Sequence, residues 1–509
     1  MRSHRPQAPR AGRRALTWRT ALLVAGLALT GCAASPQASS SAAAPTTIGQ
    51  TSVPKTQDPL KASWILTAVG VAEYPYMLNA DGTQSSRFFT SATQDDDLNW
   101  TLQVKTGATF SDGSPVDAQA IADSLNAIQQ GNPQSNASAG VITFASKGDT
   151  ITATTQRKTR VLPSILAEFS NVIFKADGKG GYLYTGPYQV TGLDAGNSID
   201  LAPNPSYPDA SKRGHVTVKA FADADAMKLA IQSGALDMAF TLPPTVAEQL
   251  SGVDGLSVKT IDAGYQYFVR PNLQRGPLAD ATVRKALDLG LDRTAFVQAL
   301  KGGSVANGLF AHYYSFAGQE KVVTDTAAAK ALLDEAGWLA GPDGVRVKDG
   351  QKLSLSLITY ASRPDLGIIM HIMVSQLGEL GIAATTSVAD DIRTAMTGGA
   401  YDLAMYAQHT APTGEPSFFQ NQFFRTGGAN NLNGYSSATT DGLLDELGDL
   451  APGAQRDAKA IEIQQQIHRD NAALLLVDPQ WHIAVSKRLA DYQPYCGDYY
   501  VVNPQLGLS

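Results

Sequence analysis

The chain has 509 residues and a formal net charge of −6, enough length for two or three domains with ordinary hydrophobic cores. The acidic balance argues against a nucleic-acid surface, and with only Cys32 and Cys496 present a disulfide-built scaffold is excluded.

Residues 1–19 contain six arginines and no acid, and residues 21–29 form an apolar run that ends at Leu29-Thr30-Gly31-Cys32. That run is well short of the roughly 20 apolar residues a bilayer span needs, so residues 1–31 read as a signal peptide. The Leu-Thr-Gly-Cys sequence resembles the bacterial lipobox, which implies that Cys32 is lipidated and becomes the mature N-terminus. Arg13-Arg14 adds a weak twin-arginine signal. Removal of the six arginines takes the net charge from −6 to −12. Residues 32–57 follow as a Ser, Ala, Pro and Thr tract whose only charge is Lys55. Such a composition buries too little apolar surface to offset its ordering entropy, and it predicts a flexible tether. The location that follows is extracytoplasmic, lipid-anchored to the cell membrane.

Beyond the tether, strand-like and helix-like segments alternate, which predicts an α/β architecture. A strand beginning at Trp100 leads into a tight turn at Ser111-Asp112-Gly113. A helix capped by Asp117 follows, with Ile121, Leu125 and Ile128 on one face. Residues 178–186 and 341–344 are Gly-rich and read as connections. Residues 326–336 predict a short helix stopped by Gly337. In residues 364–380, Leu366, Ile369, Met370, Met373, Val374 and Leu377 recur at offsets of three and four, an apolar helical stripe that reads as core. Gly381 ends that helix, and the alternation of Ile382, Ala384, Thr386 and Val388 predicts a half-buried strand. No internal repeat or coiled-coil heptad occurs.

Residues 100–118, WTLQVKTGATFSDGSPVDA, closely resemble the signature of solute-binding protein family 5, the peptide and nickel class of ABC-importer receptors. Further blocks occur in the family's order: TGPY at 185–188, LAPNPSY at 201–207, GPLAD at 276–280, VRKAL at 283–287, LDR at 291–293, ALLDEAGW at 331–338, YDL at 401–403 and GYS at 434–436. Together they span roughly residues 100–486. The resemblance implies an α/β, two-lobed type II periplasmic-binding-protein fold with an extra subdomain on lobe 1, as in cluster C receptors. Lobe 1 would comprise residues 58–264 and 476–509, with the subdomain at about 60–184, and lobe 2 residues 265–475. A small-molecule ligand would sit between the lobes, the closed form would dock on the membrane-embedded ABC permease, and the receptor would act as a monomer. ATP hydrolysis would belong to another subunit, in keeping with the lack of a Gly-x-x-x-x-Gly-Lys-Ser/Thr loop here. Among the shared blocks, Asp112-Gly113 and Gly186-Pro187 read as backbone features, and Arg284 is expected to pair with a carboxylate at the hinge.

Residues 406–419, YAQHTAPTGEPSFF, and 423–431, FFRTGGANN, resemble the nickel and opine-metallophore branch more than the oligopeptide branch. In that branch an arginine and an asparagine at the places of Arg425 and Asn430 hold ligand carboxylates, a fitting task for a guanidinium fork and an amide. Pro412 stands where peptide receptors carry the aspartate for the α-ammonium, which disfavours free peptides. Residues 167–178 lack the branch's chelator-binding arginine, and Lys175 offers a point charge in its stead. His409 reads either as a contact to a metal or anionic ligand or as structural, and Trp100, Tyr265, Tyr267, Tyr406 and Phe418 are candidate apolar walls. No cofactor and no protein-built metal site are expected; any metal arrives chelated. The preferred cargo is a small carboxylate-bearing solute, with an oligopeptide or dipeptide as the alternative. Two other classes stay open: a surface interaction module, and a secreted hydrolase. Against the hydrolase stand the lack of a Gly-x-Ser-x-Gly elbow or His-Glu-x-x-His pair and the unremarkable surroundings of Cys496.

Overall fold

The computed structural model describes residues 44–79, 83–506 and 508. The predicted signal peptide, Cys32 with its lipobox, and the tether up to residue 43 lie outside the described residues.

Lobe 1 is built on a seven-stranded mixed sheet. Across it the order is Tyr188–Asp194, Ser198–Pro203, Val216–Ala220, Thr46–Gln50, Met238–Leu242, Gln480–Ser486 and Leu256–Asp262. The strand Thr46–Gln50 corrects the tether reading. It pairs in parallel with Val216–Ala220 on one side and with Met238–Leu242 on the other, and Ile48 is fully buried. A Cβ at Gly49 would lie 2.6 Å from the Leu236 side chain, so the sheet face closes tightly over the strand. The low-complexity character of residues 32–57 is an average that hides five residues with three consecutive β-branched side chains, Thr46, Thr47 and Ile48.

The subdomain has its own four-stranded antiparallel sheet, ordered Phe89–Gln94, Asn99–Val104, Thr150–Thr155, Ile142–Lys147, against which the helix Ala118–Gly131 packs. Asp117 caps that helix as predicted, accepting from the Ala120 amide at 2.8 Å. Leu102, Phe110, Ile121, Leu125 and Ile151 fill a core separate from that of the main lobe, worth roughly 1.5–3 kcal/mol per large side chain removed from water. Of the predicted connections, residues 341–344 form a turn, whereas Tyr182–Tyr184 within 178–186 pairs with Phe174–Ala176 as a short ribbon.

Lobe 2 carries a six-stranded sheet ordered Ser304–Val305, Leu474–Asp478, Tyr265–Pro271, Leu403–His409, Ser354–Tyr360, Ala383–Ala389. The helix Pro364–Glu379 crosses between the parallel strands Ser354–Tyr360 and Ala383–Ala389, burying Leu366, Ile369, Met370, Met373 and Leu377. The predicted alternation after it holds less well. Ala383–Ala389 is an edge strand whose residues 385–388 are all exposed, so Thr386 and Val388 point to no core. A second lobe 2 core gathers Phe418, Phe419, Phe423 and Phe424 of the helix Ser417–Phe424 with Phe310, Leu447 and Ile463.

The chain passes from the first sheet to the second at Ala263 and Gly264 and returns at Pro479. The two crossings lie side by side, the Ala263 amide donating to the Pro479 carbonyl at 3.0 Å. Leu474–Asp478 belongs wholly to the second sheet, which puts the return three residues beyond the predicted start of the final lobe 1 segment at 476. The C-terminal segment then packs on lobe 1, with the Val502 amide on the Ala68 carbonyl and the Tyr188 hydroxyl on the Leu506 carbonyl.

Two family blocks have clear structural tasks. A Cβ at Gly186 would lie 2.5 Å from the Gly70 and Val71 carbonyls, so the backbones there meet without room for a side chain. Among the described residues Arg284 pairs with no carboxylate. Its guanidinium donates instead to the carbonyls of Leu278, Ala279, Asp470 and Asn471, closing chain ends that a helix leaves unsatisfied.

Candidate ligand cleft between the lobes

Open α/β sheets place ligands beyond the carboxyl ends of their parallel strands. Both sheets here have such ends, and the carboxyl ends of Thr46–Gln50, Ser354–Tyr360, Ala383–Ala389 and Leu403–His409 converge on a cavity of about 540 Å³ between the lobes. That volume suits a small solute.

Lobe 1 contributes Ser52–Lys55 in sequence after the first strand, then the helix Pro59–Ala68, which brings Lys61 and Trp64 to the cavity. Asp58 caps this helix at the Leu60 amide, 3.0 Å, and pairs with Lys61 at 3.2 Å. Trp64 and Phe169 both pack on Tyr499, at ring separations of 6.3 and 6.1 Å. From lobe 2 come Tyr265, Tyr360, Arg363, Arg393, Tyr406 and Asn430.

Arg393 and Asn430 form one unit. Asp391 caps the helix Ile392–Thr397 through the Thr394 amide, 2.6 Å, and so fixes the turn that carries Arg393. Arg393 donates to the Asn430 side-chain carbonyl and, at 2.8 Å, to the Ala429 backbone carbonyl. Behind them Arg270, fully buried, donates to the Asn430 carbonyl and lies over the Tyr406 and Phe423 rings at 5.1 and 4.9 Å. Burial pulls its pKa down to about 10. Neither arginine meets a carboxylate among the described residues, and Lys55 on the opposite wall makes no ion pair there either. Asp391 is the one carboxylate in the cavity wall itself, so the cleft carries an excess of unpaired positive charge.

Arg363 is different, since it is already neutralised. It pairs with Asp498 at 2.6 Å and lies over the rings of Tyr265 and Trp481. Burial works against its charge, but the Asp498 carboxylate outweighs it and holds the guanidinium well above its ordinary range.

Of the eight predicted ligand-contact residues, Tyr265, Tyr406 and Asn430 line this cavity. Arg425 does not. It lines another cavity, bound to Asn421 at 2.8 Å and to Asp445 at 2.9 Å, because it ends a helix whose other face is packed into the lobe 2 core. Phe418 belongs to that core and Trp100 to the subdomain core. Tyr267 is buried with its hydroxyl between Asp365 and Trp481. Lys175 is held by Asp112 at 3.2 Å and so serves the subdomain rather than the cleft.

His409 is sealed. It stacks between Tyr495 and Tyr499, and Cβ atoms at Gly264 and Gly497 would lie 2.4 and 2.7 Å from its ring. Burial drives its pKa down to about 3, while burial pushes the neighbouring Cys496 thiol up. The pair, 3.7 Å apart, is therefore neutral imidazole beside neutral thiol, without the ion pair that nucleophilic cysteine chemistry uses.

Arg393, Trp64, Lys55 and Arg363 carry no motif and escaped the sequence reading. One signal for Arg393 was present: it follows two aspartates just after a predicted strand, where helix caps and ligand contacts both cluster in α/β sheets.

These features define a two-lobed binding protein with its ligand site at the lobe interface. The chain belongs to the bacterial extracellular solute-binding proteins of family 5: the family model "Bacterial extracellular solute-binding proteins, family 5 Middle" matches residues 83–431. The "Nickel-binding protein NikA" of Staphylococcus aureus is 22% identical over 433 residues, 84% of this chain and 86% of that protein. Its crystal structure in complex with Ni(L-His)2 matches at a TM-score of 0.82 and 21% identity, covering 90% of this chain and 98% of the other. Bacillus subtilis AppA in complex with a nonapeptide matches at 0.76 and 20% identity, over 89% and 96% of the two chains. AgaA from A. tumefaciens R10 in complex with agropinic acid matches at 0.76 and 19% identity, over 87% and 93%. At these identities the shared property is the fold.

Proposed function

We propose that this chain is the extracytoplasmic receptor of an ABC importer of the peptide and nickel class. It captures a small carboxylate-bearing solute, a metal chelate or an opine-like acid, and hands it unaltered to the permease; it is not an enzyme. Arg393 carries this reading. Its guanidinium is positioned by Asn430 and Ala429 and faces a cleft in which Lys55 supplies a second free cation, an arrangement that recognises carboxylates. Trp64, Tyr265, Tyr360 and Tyr406 supply the flat apolar walls. Asp391 is the one carboxylate of this cleft, the other polar groups being hydroxyls, amides, ammonium and guanidinium groups, and the nearby imidazole is sealed, so a metal cargo brings most of its coordination sphere with its own chelator. The Ni(L-His)2 held by NikA and the agropinic acid held by AgaA are cargoes of this chemistry.

Asp391 favours a second reading within the same class. It is a carboxylate in the cavity wall that forms no ion pair among the described residues, available to the ammonium group of a peptide, such as the nonapeptide of AppA.

The test begins with native mass spectrometry, which identifies the solute that co-purifies. Titration of that solute into Arg393→Gln is expected to show affinity weaker by about 1.5–3 kcal/mol, the scale of a charge-assisted hydrogen bond. Unchanged affinity removes Arg393 from the site, and recovery of free peptides alone moves the cargo to the second reading. The lipid anchor is part of the proposal, with the protein a monomer on the outer face of the membrane. Among the described residues no helix is long and apolar enough to cross a membrane. Cys32→Ser is expected to release the protein into the medium, and retention in the membrane fraction contradicts anchoring through Cys32.

A further inference from the structure

A second cavity, of about 410 Å³, lies between the subdomain and lobe 2. The turn Pro133–Asn136 stands between it and the cleft: Gln134 of that turn faces the cleft, while Ser138, just past its end, faces the second cavity. Lobe 2 reaches the turn through Gln422, which donates to the Gln134 carbonyl at 3.0 Å.

Two guanidinium groups from opposite lobes enter this cavity. Arg157, just beyond the strand Thr150–Thr155, donates to the carbonyls of Asn136 and Ala137. Its Nε is buried without a hydrogen-bond partner and, among the described residues, no carboxylate pairs with it. Arg425 enters from the end of the helix Ser417–Phe424. Its one carboxylate partner, Asp445, is 64% exposed, so that pair is screened by water. The other cations of the cavity are already satisfied, Lys158 by Asp97 and Asp449 and Arg456 by Glu415. Burial, and then the charge of Arg425, draw the Arg157 guanidinium down to about 10, against the opposing pull of the Asp445 carboxylate. Two half-buried guanidinium groups that share one exposed carboxylate favour a further anion between them.

We propose that this cavity is a second binding site, which takes a small organic anion, a carboxylate or a phosphate, between Arg157 of the subdomain and Arg425 of lobe 2. An anion held by both sides stabilises the closed arrangement of the lobes over the open one. Arg157 also holds the same turn that Gln422 grips from the cleft side, where Gln422 is itself bound by Asn430. The two sites thus share a mechanical element, and occupancy of one favours occupancy of the other, reciprocally. This inference does not depend on which solute the cleft carries.

The test is thermal unfolding of the purified protein in graded inorganic phosphate, sulfate and citrate, against chloride at matched ionic strength. A ligand specific to the folded state raises Tm in a saturable way. The expected result is a saturable rise with citrate or phosphate, the one that saturates at lower concentration revealing whether the site prefers carboxylate or phosphate. Its half-saturation should move at least about tenfold higher in Arg157→Gln and in Arg425→Gln, the scale of one lost charged hydrogen bond, and by clearly less in Arg393→Gln, which alters only the coupled cleft. Two arginine variants guard against misfolding of either, with circular dichroism as the check. The proposal is overturned by no saturable rise beyond chloride, by a rise that persists unchanged in both Arg157→Gln and Arg425→Gln, or by a rise lost in Arg393→Gln alone.

Discussion

Glu415→Gln is expected to destabilise the protein by about 3–5 kcal/mol, the usual consequence of removing one member of a buried ion pair. The Arg456 guanidinium is 2% exposed and Glu415 is its one carboxylate partner among the described residues. Arg456 also donates to the carbonyls of Leu447 and Leu450, at the end of the helix Ala438–Asp449. Glu415 in turn accepts from the amide of Ser417 at 2.9 Å, at the start of the helix Ser417–Phe424. One charge pair thus ties three helices of lobe 2 around the phenylalanine core. A glutamine keeps the shape and leaves a cation buried without compensation. Urea unfolding measures the effect through the midpoint at constant slope. The double variant Glu415→Leu with Arg456→Met should recover most of the loss, because an apolar pair of similar volume replaces both charges. A single variant within about 1 kcal/mol of the parent, beyond the range expected for a buried pair, would show that the pair is not as isolated from water as its geometry implies.

Asp498→Asn is expected to have an effect of similar size, but felt in binding as well. Asp498 lies in the C-terminal segment that packs on lobe 1, and its two oxygens reach lobe 2 through Arg363 and the Tyr265 hydroxyl, each at 2.6 Å. Both partners line the cleft. Loss of the carboxylate frees the Arg363 charge beneath the ligand and removes a bridge between the lobes next to the crossings. The expected outcome is a stability loss of roughly 3 kcal/mol with a changed affinity for the co-purifying solute, since truncating one partner of a buried charge pair at an interface typically costs 2–5 kcal/mol. Calorimetric titration together with urea unfolding checks it. If both affinity and stability stay at parental values, Asp498 and Arg363 do not form the cleft floor.

Much of this molecule is written in local patterns. The stripe from Leu366 to Leu377, the cap at Asp117, and the stops at Gly337 and Gly381 follow from periodicity and backbone preference alone, and they recur in the structure. What local pattern missed is instructive. Thr46–Gln50 is a strand because two distant segments pair with it, and no window over residues 32–57 contains those partners. His409, Trp100, Tyr267 and Phe418 have side chains fit for a binding wall, but whether an aromatic faces a cleft or a core depends on what packs over it. For His409 that is the C-terminal segment, about ninety residues away in sequence.

The same limit applies to charge. Arg425, Arg393, Arg363 and Arg456 look alike in sequence and have three different situations in the fold. Arg456 and Arg363 are matched by buried carboxylates, Arg425 by an exposed one, and Arg393 by none among the described residues. Only the partner list decides which of them is free to receive a ligand. The aspartates that decide it, at 498 and 445, are far from their arginines in the chain or a helix away.

Small-angle X-ray scattering of the protein freed of its solute and then reloaded with it bears most directly on the central claim, that two hinged lobes grip a guest molecule and release it chemically intact. The account predicts a smaller radius of gyration on reloading, as contacts such as Gln422 to Gln134 and Thr51 to Ser362 form across the cleft. Identical curves with and without the solute bound would contradict it.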